Sequence, residues 1–215
     1  MLVKILLVCG ILSSVLYIGS DILAATMLYP GYSYTSQQVS ELSAIGAPTR
    51  TFWIAMSYVF IPLVVAFAIG VWLFAGRSLS LRVTSALLFV YAVIAFIWMF
   101  FPMHQPGTGT VANDAPHLVV GLAQVLAMVL FISFGAVALG WGFRFYSIVT
   151  IVALLGFGAI VSTQAPAIAA GHPMPWLGII ERVSVYLPVL WVLIFAIMLL
   201  RAQGMNESLS SARGL

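Results

Sequence analysis

Asp21, Glu41, Asp114 and Glu181, together with His104, His117 and His172, are the residues whose types permit proton transfer, metal ligation or capture of a polar ligand. Asp114 and His117 stand three residues apart in "DAPHLVVG", where a polar loop gives way to an apolar run. Pro116 belongs in the first turn of a helix, so Asp114 is placed to cap it, with His117 on the same face. The same pair could instead be two metal ligands, or an acid orienting an imidazole. His104 follows Phe101-Pro102-Met103 and His172 follows Ala169-Ala170-Gly171, each at the end of an apolar stretch. Three imidazoles from three helix ends plus one carboxylate suffice for a divalent metal such as zinc with an open position. Against this, no tight His-x-x-x-His spacing is present, and each histidine also fits an ordinary interfacial loop.

Asp21 carries different information. It interrupts a long apolar run eight residues before Tyr29, hence roughly 12 Å below the helix end at 1.5 Å per residue. A lipid-facing carboxylate at that depth costs on the order of 2.5–3.5 kcal/mol, so Asp21 is expected to face the bundle interior with a polar partner. Glu181 and Arg182 are neighbours that point about 100° apart on a helix and so do not pair with each other. Asp21, Glu41 and Glu181 are the candidate acid–base groups. Asp21, Glu41, His117, Glu181 and Arg182 are the candidate ligand-binding set, expected to share one cavity.

The elements that must position these groups follow from composition. The chain has 215 residues, 63% hydrophobic and 6% charged, with a mean hydropathy of +1.17. A soluble domain carries about 25% charged residues, so the solvent here is lipid. Apolar stretches of spanning length occur at 5–28, 51–75, 81–101, 115–139, 146–170 and 179–200. They are continuously apolar instead of alternating, which excludes a membrane β-barrel and predicts an all-α bundle of six transmembrane helices. Residues 1–203 read as one six-helix domain and 204–215 as a flexible cytoplasmic tail. The first stretch reads as a retained signal-anchor helix. One cysteine, Cys9, excludes an internal disulfide.

Basic residues set the orientation. With the N-terminus inside, Lys4, Arg77, Arg82, Arg144, Arg201 and Arg213 are cytoplasmic, and only Arg50 and Arg182 lie outside. Both termini are therefore expected in the cytoplasm of a multi-pass cell-membrane protein. The candidate acids and histidines all fall in the outer half, where four carboxylates meet two arginines. Clustered basic residues of the kind that bind nucleic acid are absent, and the partners expected are the bilayer and a lipid or small-molecule ligand.

The first outer loop reads as a turn at Pro30-Gly31 and a short amphipathic helix over 36–45, with Val39, Leu42 and Ile45 on one face, roofing the bundle. Its runs Pro30-Gly31-Tyr32-Ser33, Val39-Ser40-Glu41-Leu42 and Gly46-Ala47-Pro48 resemble the prokaryotic membrane family catalogued as domain of unknown function 998. Phe101-Pro102, the His117-bearing start of the fourth helix and Gly178-Ile179-Ile180-Glu181-Arg182 fit the same pattern. The resemblance implies a six-helix membrane bundle and brings no established activity, so it assigns no catalytic residue. Two functions stay open: a membrane protein whose outer acid/histidine cluster is structural or binds a small ligand, and a metal-dependent intramembrane hydrolase acting on a lipid or lipid-linked substrate.

Overall fold

The computed structural model describes residues 1–172 and 174–213. Six helices are long and apolar enough to cross a membrane. They are α1 (Leu2–Leu23, continued by a π-helical turn, Ala24–Leu28), α2 (Arg50–Phe74), α3 (Leu79–Trp98), α4 (Ala115–Ala138), α5 (Trp141–Thr163) and α7 (Leu177–Arg213), with a short α6 (Ala165–Ala169) between the last two. No strand occurs among the described residues. The fold is the expected all-α bundle. The fifth span ends earlier than expected because Pro166 opens the separate short helix α6. The last helix continues through the stretch read as the tail as far as Arg213.

Packing follows a closed ring. Helix α1 packs on α2 and α7, α2 on α3, α3 on α4, α4 on α5, and α5 on α7. Chain direction alternates around the sequence, so Lys4, Arg77, Arg82, Arg144 and Arg201 share one end, here called the basic end. The loop 29–49, residues 99–114 and α6 close the other, capped end.

The two halves of the ring are filled differently. Toward the basic end, Phe67, Phe131, Phe143, Trp191 and Phe195 form a buried aromatic plug, with the Trp191 and Phe195 rings stacked at 4.7 Å. Glycines make room for it. A Cβ on Gly135 would stand 2.5 Å from Trp191 Cη2, and one on Gly10 would stand 2.6 Å from Phe67 Cδ2. Such small-residue contacts are how helices approach closely in lipid. The Trp191 indole N–H is satisfied by Ser147 Oγ at 2.8 Å.

The roof departs from expectation. Helical structure in the first loop is a single 3₁₀ turn, Val39–Ser43, instead of a helix over 36–45. Val39 and Leu42 are buried as the amphipathic pattern requires, but Ile45 is exposed and Ala44 is already extended. Polar bonds, more than hydrophobic periodicity, decide the shape of this loop, and they lead into the site.

Candidate functional site

Arg182, on the second turn of α7, is the centre of the capped end. Its guanidinium meets Asp21 of α1 in a bidentate pair, Nε to Oδ2 at 2.9 Å and Nη2 to Oδ1 at 3.0 Å. Nη2 also donates to the Tyr32 hydroxyl at 2.8 Å. Nη1 donates to the carbonyls of Tyr34 (2.8 Å), Gln37 (2.9 Å) and Gly178 (3.2 Å). The Tyr34 ring lies under the guanidinium at 3.7 Å, close enough for a cation–π contact. Both charged groups are almost fully buried, Asp21 at 0% and Arg182 at 3% exposure. Such burial is tolerable only because every polar edge finds a partner. The Tyr186 hydroxyl donates to Asp21 Oδ2, and the Tyr34 hydroxyl lies 3.0 Å from that of Tyr186.

Asp21 therefore faces the bundle, as its depth demands, and its partner comes from another helix. The other two loop-end carboxylates fix the roof. Glu181 accepts from the Val39 N–H and from Ser40 Oγ (3.0 Å), holding the start of the 3₁₀ turn. Glu41 accepts from the Gln38 N–H (2.9 Å) and from Gln37 Nε2 (2.9 Å), closing a capping box. Burial pushes the Glu41 carboxyl above its ordinary range, against the opposing pull of the Gln38 N–H, the Gln37 amide and Arg182. Burial likewise raises the Tyr32 phenol, partly offset by Arg182. Glu181 and Arg182 point apart, one to the roof and one to α1, as helical geometry dictates.

Of the ligand-binding candidates, Asp21, Glu41, Glu181 and Arg182 gather at the first loop but do not share the one cavity expected of them, since Glu181 lines the central hollow and Glu41 a separate one. His117 does not join them. Its Nδ1–H donates to the Phe101 carbonyl at 2.8 Å and its ring packs edge-on against Trp98 at 4.6 Å. His104 pairs with Asp114, Nδ1 to Oδ1 at 2.7 Å, and the His104 backbone N–H reaches the same oxygen at 3.0 Å. Asp114 is at the N-cap position of α4, yet its side chain makes no bond to the helix start. The expected side-chain cap is replaced by a clamp on the 104–114 loop. His172 lines a separate cavity of about 310 Å³ with Gln37, Glu41 and Gln105. Among the described residues, no three histidine, cysteine, aspartate or glutamate side chains are grouped to hold a metal ion.

Beneath the roof the ring is hollow. A cavity of about 210 Å³ runs down its middle, touched by all six long helices and by the 3₁₀ turn. Arg50, Ser40, Ser43 and Glu181 form its polar rim, and Phe60, Val125, Met128 and Leu154 are among its apolar walls. The space exists because Ser20, Ser57, Ala95, Gly121 and Ser184 are small where the plug residues below are large.

This combination, a six-helix ring roofed by a Tyr- and acid-bearing first loop pinned to Glu181-Arg182, spans the region matched by one family profile. The family is described as "Protein of unknown function (DUF998)", and the match covers residues 11–198. The chain belongs to this family. The match takes in Asp21, the whole roof and Arg182, so the pinned loop falls within the family's common extent. Comparison with curated proteins and with solved structures found no match.

Sequence reasoning missed Tyr32, Tyr34 and Tyr186. The available signal for the first two was their place in the loop that follows the helix carrying an intramembrane acid. Gln124, a polar residue on the cavity wall, was missed as well.

Proposed function

We propose that the protein binds a small amphiphilic ligand in the lumen of its ring, entered from the capped end. The observation that carries this reading is the cavity: apolar walls, a few convergent polar groups at one rim, and a closed floor of stacked aromatics. Ligand sites are mostly apolar concavities with a small number of placed polar groups, and this hollow has that character. The rigid roof supports the same conclusion, because a preformed site lowers the ordering cost of binding. The excess of basic residues at the opposite end supports a capped end that faces outward and termini that face the cytoplasm of a cell membrane.

The test is ligand retention by the full-length protein in nanodiscs, read by native mass spectrometry and by binding of a fluorescent twelve-carbon fatty acid. Ala95→Phe and Ser57→Leu each fill the cavity with apolar atoms. Both should lower probe binding at least tenfold while the thermal midpoint stays the same or rises. Binding unaffected by either filling variant, or no binding by the wild-type chain, overturns the proposal.

A further inference from the structure

Gln124 lies on α4 well inside the bundle and is 7% exposed. It lines the cavity, and among the described residues its Oε1 has no hydrogen-bond partner. The Tyr91 hydroxyl is the polar group beside its amide, and Val125 and Met128 are the adjoining walls. An unmet acceptor in such a setting favours any ligand that brings a donor to it. At the rim the complement is reversed. Arg50 donates Nη1 to the Ser43 carbonyl at 2.6 Å, and among the described residues no other acceptor engages its guanidinium. Glu181 shares the rim, but its oxygens are turned to the Val39 N–H and Ser40. The rim therefore offers donors on a cation, and the interior offers an acceptor.

Building on the amphiphile reading above, we propose that the ligand is a single aliphatic chain with an anionic head held by Arg50 and a hydrogen-bond-donating group, such as a hydroxyl, received by Gln124. A guanidinium fork suits a carboxylate or phosphate head. The spacing sets where the donor falls. Gln124 is nine residues into α4 from Ala115, about 13 Å at 1.5 Å per residue. Along α2, Phe60 packs on Tyr91 with ring centroids 6.5 Å apart and lies ten residues beyond Arg50, about 15 Å by the same rise. Carbon–carbon bonds of ~1.5 Å advance about 1.25 Å each in an extended chain, so the donor sits about eleven or twelve bonds from the head.

Binding of 12-hydroxydodecanoate, dodecanoate, dodecyl phosphate, dodecanol and dodecyltrimethylammonium to the full chain in nanodiscs tests this. The hydroxy acid should bind at least tenfold tighter than dodecanoate. Gln124→Leu and Gln124→Met should each bring that ratio near one. Arg50→Gln should weaken both acids and the phosphate while dodecanol is little changed, and the acid-to-phosphate ratio distinguishes the two head chemistries. Equal affinity of the hydroxy and plain acids in the wild type, or a preference for the quaternary ammonium, overturns the proposal. If the hydroxy and plain acids bind equally, or the quaternary ammonium binds best, and the filling variants still expel them, the donor or head assignment alone is refuted and the cavity reading stands. Failure of every probe refutes the cavity reading itself.

Discussion

Removing the charge of Asp21 should be among the most damaging single changes available to this chain, and a double-mutant cycle with Arg182 tests why. Asp21→Leu leaves Arg182 buried at 3% exposure with no counter-ion, which costs about 3–5 kcal/mol. Arg182→Met strands the Asp21 carboxylate and also deprives the Tyr34 carbonyl of its donor, while the Gln37 carbonyl keeps the Tyr32 hydroxyl. Each buried acceptor left unmet adds about 1–3 kcal/mol, so this variant should be the worse of the two. The double variant Asp21→Leu/Arg182→Met removes both charges, and only the loop carbonyls and the tyrosine hydroxyls lose partners. It should therefore be more stable than Arg182→Met alone, with a coupling of about 3 kcal/mol or more against additivity. Reversible unfolding in mixed detergent, followed by fluorescence of the buried Trp191, measures the cycle. Limited trypsin cleavage at Arg50 gives an independent reading of whether the roof has come loose. Strict additivity, or a loss under about 1 kcal/mol for Asp21→Leu, would refute the claim that this pair anchors the roof.

Three further outcomes are expected. Glu41 has a folded-state carboxyl raised by burial, so its contribution is complete below the ordinary glutamate range and is lost as pH rises through the folded value. The stability of the wild type relative to Glu41→Gln should fall across that window, measured as paired melts from pH 4 upward. Asp114→Ser and Asp114→Ala should be equally destabilising, by about 1 kcal/mol, because neither can reach the His104 N–H and ring. Asp114→Asn, which keeps an acceptor, should cost less, and rescue by serine would restore the helix-cap explanation. Gly135→Ala should cost about 1–3 kcal/mol by overpacking, since the new methyl would stand 2.5 Å from a Trp191 ring that Ser147 holds in place. A neutral melt for that variant would refute the close packing of the plug.

The six helices were legible because lipid permits so few backbone solutions, and continuous apolar runs leave only one. The inward turn of Asp21 was legible for a related reason: a carboxylate against lipid is too costly at that depth. Its partner was not. Arg182 lies 161 residues away, and nothing in local spacing says that α1 and α7 close the ring. The roof was partly legible. Periodicity identified Val39 and Leu42 as its buried face, but its start is fixed by Glu41 and Glu181, which accept from the Gln38 and Val39 N–H groups. The histidines misled in the opposite sense. Residue type and shared depth suggested convergence, whereas His117 answers a carbonyl, His104 an aspartate, and His172 faces another cavity. The hollow left no sequence signal. It depends on which side-chain sizes meet across helices distant in the chain, with Trp191 set over Gly135 in one half and the small Ala95 and Gly121 lining the hollow in the other.

The distribution of polar bonds says how the capped end works as a unit. Asp21, Glu41 and Glu181 each use both oxygens on groups that hold the roof, and Arg182 ties that roof to α1. None of these groups is left over for a ligand. A buried ion pair is a weak source of stability but a strong constraint on which arrangement forms. Here it selects one position for a loop that would otherwise be a flexible connection between two spans. The fixed loop is the roof of the cavity beneath it, with Val39, Ser40 and Ser43 in its lining. The groups that remain unengaged are then informative by contrast. Arg50 at the rim and Gln124 below it keep hydrogen-bonding capacity, as do Gln38 Oε1 in the roof and Gln105 Nε2 beside it. Of these four, Arg50 and Gln124 line the central cavity, where a molecule inside it would meet them.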